Sequence, residues 1–293
     1  MSQILTTTKK SLDSGSLDIS GRNELADFWQ ETSAMTKRLF IQLRRRPSSL
    51  IAGVIQPFMW LLLFGALFAK VPSGLFGEEL NYAQFLAPGI IVFTAFSAAL
   101  NAGLPVMFDR EFGFLNRLLV APLSSRYSIV LSSTLYIVTL SLIQTSVIVA
   151  TSAIFGSGLP SLSGLALIIS TVFLIVLGVT ALSLGLSFAL PGHIELIAVI
   201  FVTNLPLLFA STALAPLNFM ADWLEILVLF NPLTYAIEAI RYVYSHENWN
   251  LTSSLVLETD WLNFNFLEII AVLVAFDFLA LILIQPLLKR RFA

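Results

Sequence analysis

Three groups of residues could do chemistry. Asp109, Arg110 and Glu111 stand in a row, followed by Gly113, Leu115, Asn116 and Arg117. A run of mixed charge makes ion pairs and suits docking against another protein; it holds no nucleophile beside a base. Glu238 and Arg241 are three apart, a spacing that lets opposite charges pair on one helix face. Asp277 stands in an apolar run, where an ionised carboxylate costs several kcal/mol unless it is paired or wet. Two readings fit it: contact with a proton or substrate, or a protonated or hydrogen-bonded contact between helices. Catalysis is not expected of this chain. It has no Cys and two His, too few for a metal centre. It also lacks the Walker A spacing, His-Glu-x-x-His and Gly-x-Ser-x-Gly.

These residues sit in a framework built for lipid. Residues 127–194 carry no formally charged side chain. A soluble fold would need a wetted face somewhere in that stretch. Crossing the roughly 30 Å hydrocarbon layer takes about 20 apolar residues as a helix, so the stretch holds two crossings joined at Gly156-Ser-Gly-Leu-Pro160. Composition agrees: 57% of residues are hydrophobic and 12% charged, against about 25% charged in a soluble domain. The net charge of −2 gives no basic field for nucleic acid.

Charge-poor runs mark six spans, near residues 47–69, 80–108, 127–155, 162–190, 194–214 and 265–288. Six crossings put every Lys and Arg except Lys70 and Arg241 on one side. By the positive-inside rule that side is cytoplasmic, so both termini are expected there, in the inner (plasma) membrane. Residues 1–22, polar and rich in Ser and Thr, read as a disordered cytoplasmic tail. Residues 23–293 read as one all-α membrane domain.

Other segments are not simple spans. Residues 24–43 repeat apolar positions every three or four, giving one apolar face. They end in Arg44-Arg45-Arg46, as does a helix lying in the inner headgroup layer. It serves as an anchor, as an elbow touching a cytoplasmic partner, or as both. After span two, Phe108, Phe112, Leu115 and Leu119 fall on one helical face, and Pro122 stops the helix. That short helix either docks into a groove on another protein or only connects two spans. Asn231-Pro232 splits two short apolar helices. They read as a re-entrant pair, which needs shielding for its broken backbone, or as a cap at the outer surface. Polar stripes on span two (Thr94, Ser97, Asn101) and span three (Thr134, Ser141, Thr145, Ser152) either line a solute path or serve helix packing. In span four, Ala181, Gly185 and Ala189 permit a close neighbour.

The chain resembles the permease subunit of type-2 ABC exporters, the group of the daunorubicin-resistance and nodulation-factor permeases. The segments that carry the resemblance are residues 109–124, similar to a Glu-Arg-Glu-x-Gly-Thr-Leu-Glu-x-Leu loop, and Asn231-Pro-Leu-Thr-Tyr235 through Glu238 to Arg241. Arg44-Arg-Arg-Pro47 followed by Gln56-Pro57 completes it. Phe114 and Asn116 depart from the usual Thr and Glu. The resemblance implies that residues Asp109, Arg110, Glu111, Gly113, Leu115 and Arg117 belong to a cytoplasmic coupling helix. It would seat in a cleft of a separate ATP-binding subunit, present in two copies, which holds the ATP and Mg. It implies a re-entrant segment containing Asn231, Pro232, Tyr235, Glu238 and Arg241, and a second permease subunit, identical or a sister chain. The implied function is export of an amphipathic or lipid-linked substrate. The rival reading is an ion-gradient-driven transporter or channel that uses Asp277.

Overall fold

The computed structural model describes residues 24–70, 82–120, 125, 127–246, 249–252, 254–258 and 263–292. The polar tail and Pro122 lie outside them. The protein is mostly helical. The amphipathic segment is α1 (Glu24–Arg45), and Arg46 and Pro47 lead directly into α2 (Ser48–Leu67). The next helices are α3 (Tyr82–Leu100), α4 (Gly103–Glu111), α5 (Phe114–Val120), α6 (Tyr127–Ser152), α7 (Leu162–Ala189) and α8 (His193–Phe209). Beyond them come α9 (Asp222–Phe230), α10 (Pro232–Ser245), an antiparallel pair β1 (Leu255–Glu258) and β2 (Asn263–Asn265), and α11 (Phe266–Phe292).

Five stretches are long and apolar enough to cross a membrane: α2, α3 with α4, α6 with the turn after it, α7, and α11 up to Leu287. α8 is a shorter apolar helix of 17 residues. α9 and α10 together form a sixth apolar stretch, bent by 86°. The core is centred on α3, where almost every side chain from Tyr82 to Phe96 is buried. α2 is the opposite: only Pro57 and Leu61 are buried, although its composition is just as apolar.

Glycines set the close contacts. A Cβ at Gly185 would lie 2.5 Å from Ile284 of α11, and one at Gly178 would lie 2.4 Å from the Asp277 carboxylate. The small-residue seam therefore runs through Gly178 and Gly185, with Ala181 buried between them and Ala189 exposed. Asp277 packs into the space that Gly178 leaves. Glu268, at the head of α11, belongs to a capping box: its Oε2 accepts from the Asn265 N–H, and Asn265 Oδ1 accepts from the Glu268 N–H. That reciprocal pattern satisfies two free donors at a helix start.

The chain bends where α3 gives way to α4, at Asn101-Ala102, and Ser183 of α7 mends the break. Its hydroxyl donates to the Leu100 carbonyl at 2.5 Å and accepts from the Gly103 N–H at 2.9 Å. Gly103 is required here, because a Cβ would lie 2.4 Å from the Ser183 carbonyl oxygen. The lower half of span two is thereby fixed to α7.

Candidate functional site

The charged row Asp109-Arg110-Glu111 forms the last turn of α4, and each of its side chains reaches a different element. Asp109 accepts two hydrogen bonds from Arg38 of α1, at 2.8 and 2.9 Å. This fork-to-fork geometry adds orientation as well as attraction. At this partly exposed position the pair contributes on the order of 1 kcal/mol. The Arg38 guanidinium also covers the Phe114 ring, 3.9 Å from its centroid. Arg110 donates to the carbonyls of Ser187, Leu190 and Pro191 at 2.6–2.7 Å. Those groups close α7 and the turn after it, where a cation also meets the negative end of the helix dipole. Glu111 accepts from the His193 N–H at 2.6 Å, and its other oxygen lies 2.5 Å from His193 Nδ1. It thus caps the first turn of α8.

Beyond Glu111 the chain turns sharply. Phe112 N–H bonds the Phe108 carbonyl, and Gly113 takes φ +76°. That left-handed conformation after a helix end favours glycine. α5 then starts in a new direction, so the expected single face containing Phe108, Phe112 and Leu115 is split. Leu115 is buried beside Val106, Ile129 and Phe188. Phe112 is 80% exposed, and Arg117 and Val120 beyond it are exposed too. The structure therefore divides the expected group. Asp109, Arg110 and Glu111 have partners inside the chain, Leu115 anchors α5, and Gly113 makes the turn. Arg117 is presented outward. Sequence reasoning missed Arg38 and His193 as partners and Phe112 as the exposed tip. The positive-φ requirement at Gly113 was the signal that the helix could not continue.

The Asn231-Pro232 region is the second organised cluster. Asn231 is buried, and its amide nitrogen donates to the carbonyls of Leu207 and Ala210, which end α8. Its Oδ1 accepts from the Leu233 N–H and caps α10. Thr234 Oγ1 and Tyr235 OH donate to the Val228 and Leu229 carbonyls, which end α9. Pro232 at the first helical position has no N–H to satisfy. The segment thus supplies partners for backbone groups freed at three helix ends, as apolar surroundings demand. One turn on, Glu238 and Arg241 pair as their spacing predicts. Arg241 also donates to the Thr212 carbonyl at 2.6 Å and to Phe85 of α3 at 3.3 Å, and lies 3.9 Å over the Phe85 ring. α10 is clamped to α3 by these contacts. Gly89 allows the adjoining approach, since a Cβ there would lie 2.5 Å from the Ala213 oxygen.

The expected polar path is only partly assembled. Ser97 and Asn101 line a groove of about 440 Å³ between α2, α3 and α6, whereas Thr94, Thr145 and Asp277 do not. Thr94 donates within its own helix, to Ile90. Thr134 and Ser152 do the same on α6, and Ser141 and Thr145 are buried in packing.

The sequence pattern of the ABC-2 type transporter family matches residues 30–244. A putative transport permease, ycf38, from Cyanophora paradoxa is 52% identical over 265 residues, 90% of this chain and 91% of that protein. The ycf38 protein of Porphyra purpurea is also 52% identical, over 89% of this chain and 90% of its own. A probable doxorubicin resistance ABC transporter permease, DrrC, from Mycobacterium tuberculosis is 26% identical over 81% of this chain and 86% of its own. With the apolar helices described above, these matches place the chain in the ABC-2 type transporter family, as an integral membrane permease of an ABC transporter.

Proposed function

We propose that this permease exports an amphipathic or lipid-linked substrate, driven by two copies of a separate ATP-binding subunit, one of which seats against the Phe112–Val120 tip. The supporting observation is the division of labour at the foot of span two. Phe112, Arg117 and Val120 face outward, while the three preceding charges tie that tip to α1, α7 and α8. A force applied at the tip therefore reaches several helices rather than one loop. ATP and Mg belong to the partner.

In this reading α8 is the remaining crossing. Its 17 residues rise about 25 Å, near the lower limit for a span. The α9–α10 pair then dips into the outer leaflet as a re-entrant turn, and the foot and both termini share the cytoplasmic side. A second permease subunit covers the bare apolar surfaces of α2 and α8, where Ile55, Leu63, Phe201 and Val202 are exposed.

The test is co-purification of the ATP-binding subunit with the tagged chain from detergent. Phe112→Asp combined with Val120→Asp is expected to lower recovery at least about tenfold. Every contact described above that holds the foot is left in place. Undiminished recovery, or transport in vesicles holding only this chain, would overturn the proposal.

A further inference from the structure

The two sides of α1 do different work. Arg38 faces the foot, where it holds Asp109 and covers Phe114. Another side runs along α6, where Phe40 meets Tyr136 edge-on with ring centroids 5.3 Å apart. Between these two helices lies a groove of about 430 Å³. Trp29, Phe40 and Leu135 give it an apolar wall, Thr32, Ser33 and Thr36 add small side chains, and Lys37 brings the one charge in the lining. The Ser33 and Thr36 hydroxyls donate to the Gln30 and Thr32 carbonyls within α1. Lys37 is therefore the group left to hold a polar guest.

Charge and wall together select the guest. Lys37 is exposed, and among the described residues it pairs with no carboxylate. By the helical period Asp27 and Glu31 fall on the side of Arg38, away from the groove. Arg44 lies two turns beyond Lys37 on the same side, and it is exposed, as are Arg45 and Arg46. Cations at headgroup depth attract anionic lipids, and an apolar face beside them takes acyl chain. A soluble anion gains nothing from the wall, and a neutral lipid gains nothing from the ammonium. Trp29 fits the same depth, since the indole ring favours the membrane interface. Leu135 lies about 12 Å along α6 from its first residue, so the wall runs from the helix end toward the bilayer interior.

We propose that the groove between α1 and α6 binds one anionic phospholipid of the surrounding bilayer, its phosphate on Lys37 and an acyl chain against Trp29, Phe40 and Leu135. The lipid bridges α1 and α6, so it braces the helix that carries Arg38 to the foot. It is a ligand of the permease fold and not the cargo.

The test uses the full chain alone, in phosphatidylcholine nanodiscs holding phosphatidylglycerol with a diazirine near the top of one acyl chain. Labelling is expected between Trp29 and Phe40 and around Leu135. Unlabelled phosphatidylglycerol and phosphatidylserine should compete; phosphatidylethanolamine and the chain-free headgroup glycerophosphoglycerol should not. One cation near the surface contributes roughly fivefold to lipid affinity, so Lys37→Gln should lower labelling about that much. Ser33→Phe fills the groove without changing any charge and should lower labelling at least as far. Both positions are exposed, where substitutions rarely disturb folding. Labelling unchanged in Lys37→Gln would take the ammonium out of the site. Labelling unchanged in Ser33→Phe would leave only a diffuse pull from the basic residues. Either result overturns the proposal, as does competition by phosphatidylethanolamine or by the free headgroup. No ATP-binding subunit is present, so this outcome stands apart from co-purification.

Discussion

Arg241→Met is expected to remove about 3–5 kcal/mol of folding free energy, the usual cost of taking one partner from a buried ion pair. The loss has several parts. Glu238 keeps its carboxylate at a site only 14% exposed, now without a counter-charge. The Thr212 and Phe85 carbonyls lose their donor. Phe85, among the most completely buried side chains, loses the cation over its face. Against a total stability of about 5–15 kcal/mol for a typical domain, this is a large fraction. Thermal unfolding in detergent, followed by size-exclusion chromatography, should show an early transition. Adding Glu238→Gln removes the stranded charge and should recover at least about 1 kcal/mol. If Arg241→Met unfolds like the parent, the clamp between α10 and α3 is not structural.

The second large effect is expected at Arg110. Arg110→Gln removes the fork that holds the end of α7, so three carbonyls at partly exposed positions exchange a charged donor for water. The exposed tip itself is unchanged. Binding of the ATP-binding subunit should therefore stay within about twofold, while transport falls roughly 10–100-fold. That range matches the coupling energy of about 1–3 kcal/mol that commonly links two sites. ATPase activity should continue without proportionate transport. Loss of binding and transport together would instead place the Arg110 side chain in the docking interface.

Some of this was legible in the sequence because charge is scarce. Where ionised groups are costly, their absence marks apolar helices and their pairs mark contacts, so the bend at Asn231-Pro232 and the Glu238–Arg241 pair followed from spacing. Burial was not legible. α2 and α3 are equally apolar, yet one is nearly bare and the other nearly enclosed. Lipid and protein core select the same side chains, so periodicity cannot separate them. Span boundaries failed for a related reason. The stretch expected to run to Leu214 leaves the helix at Phe209, because the Asn231 amide takes its last carbonyls. That amide comes from more than 20 residues away. Partner choice at the foot was equally hidden. Asp109 and Arg38 are 71 positions apart, and Glu111 and His193 are 82 apart. A row of three charges looks alike whether it greets another protein or braces its own.

The exposed tip as the point where ATP-driven force enters is most directly tested by cysteine cross-linking in native membranes. The chain has no Cys, so Phe112→Cys gives a single reactive site, and Met59→Cys on α2 is a control at an exposed apolar position. With a short maleimide–diazirine cross-linker, which needs a thiol only on this chain, Phe112→Cys should form a photo-cross-linked product with the ATP-binding subunit, and Met59→Cys none with that subunit. Cross-linking of the ATP-binding subunit from Met59→Cys, or none from Phe112→Cys, would contradict the account.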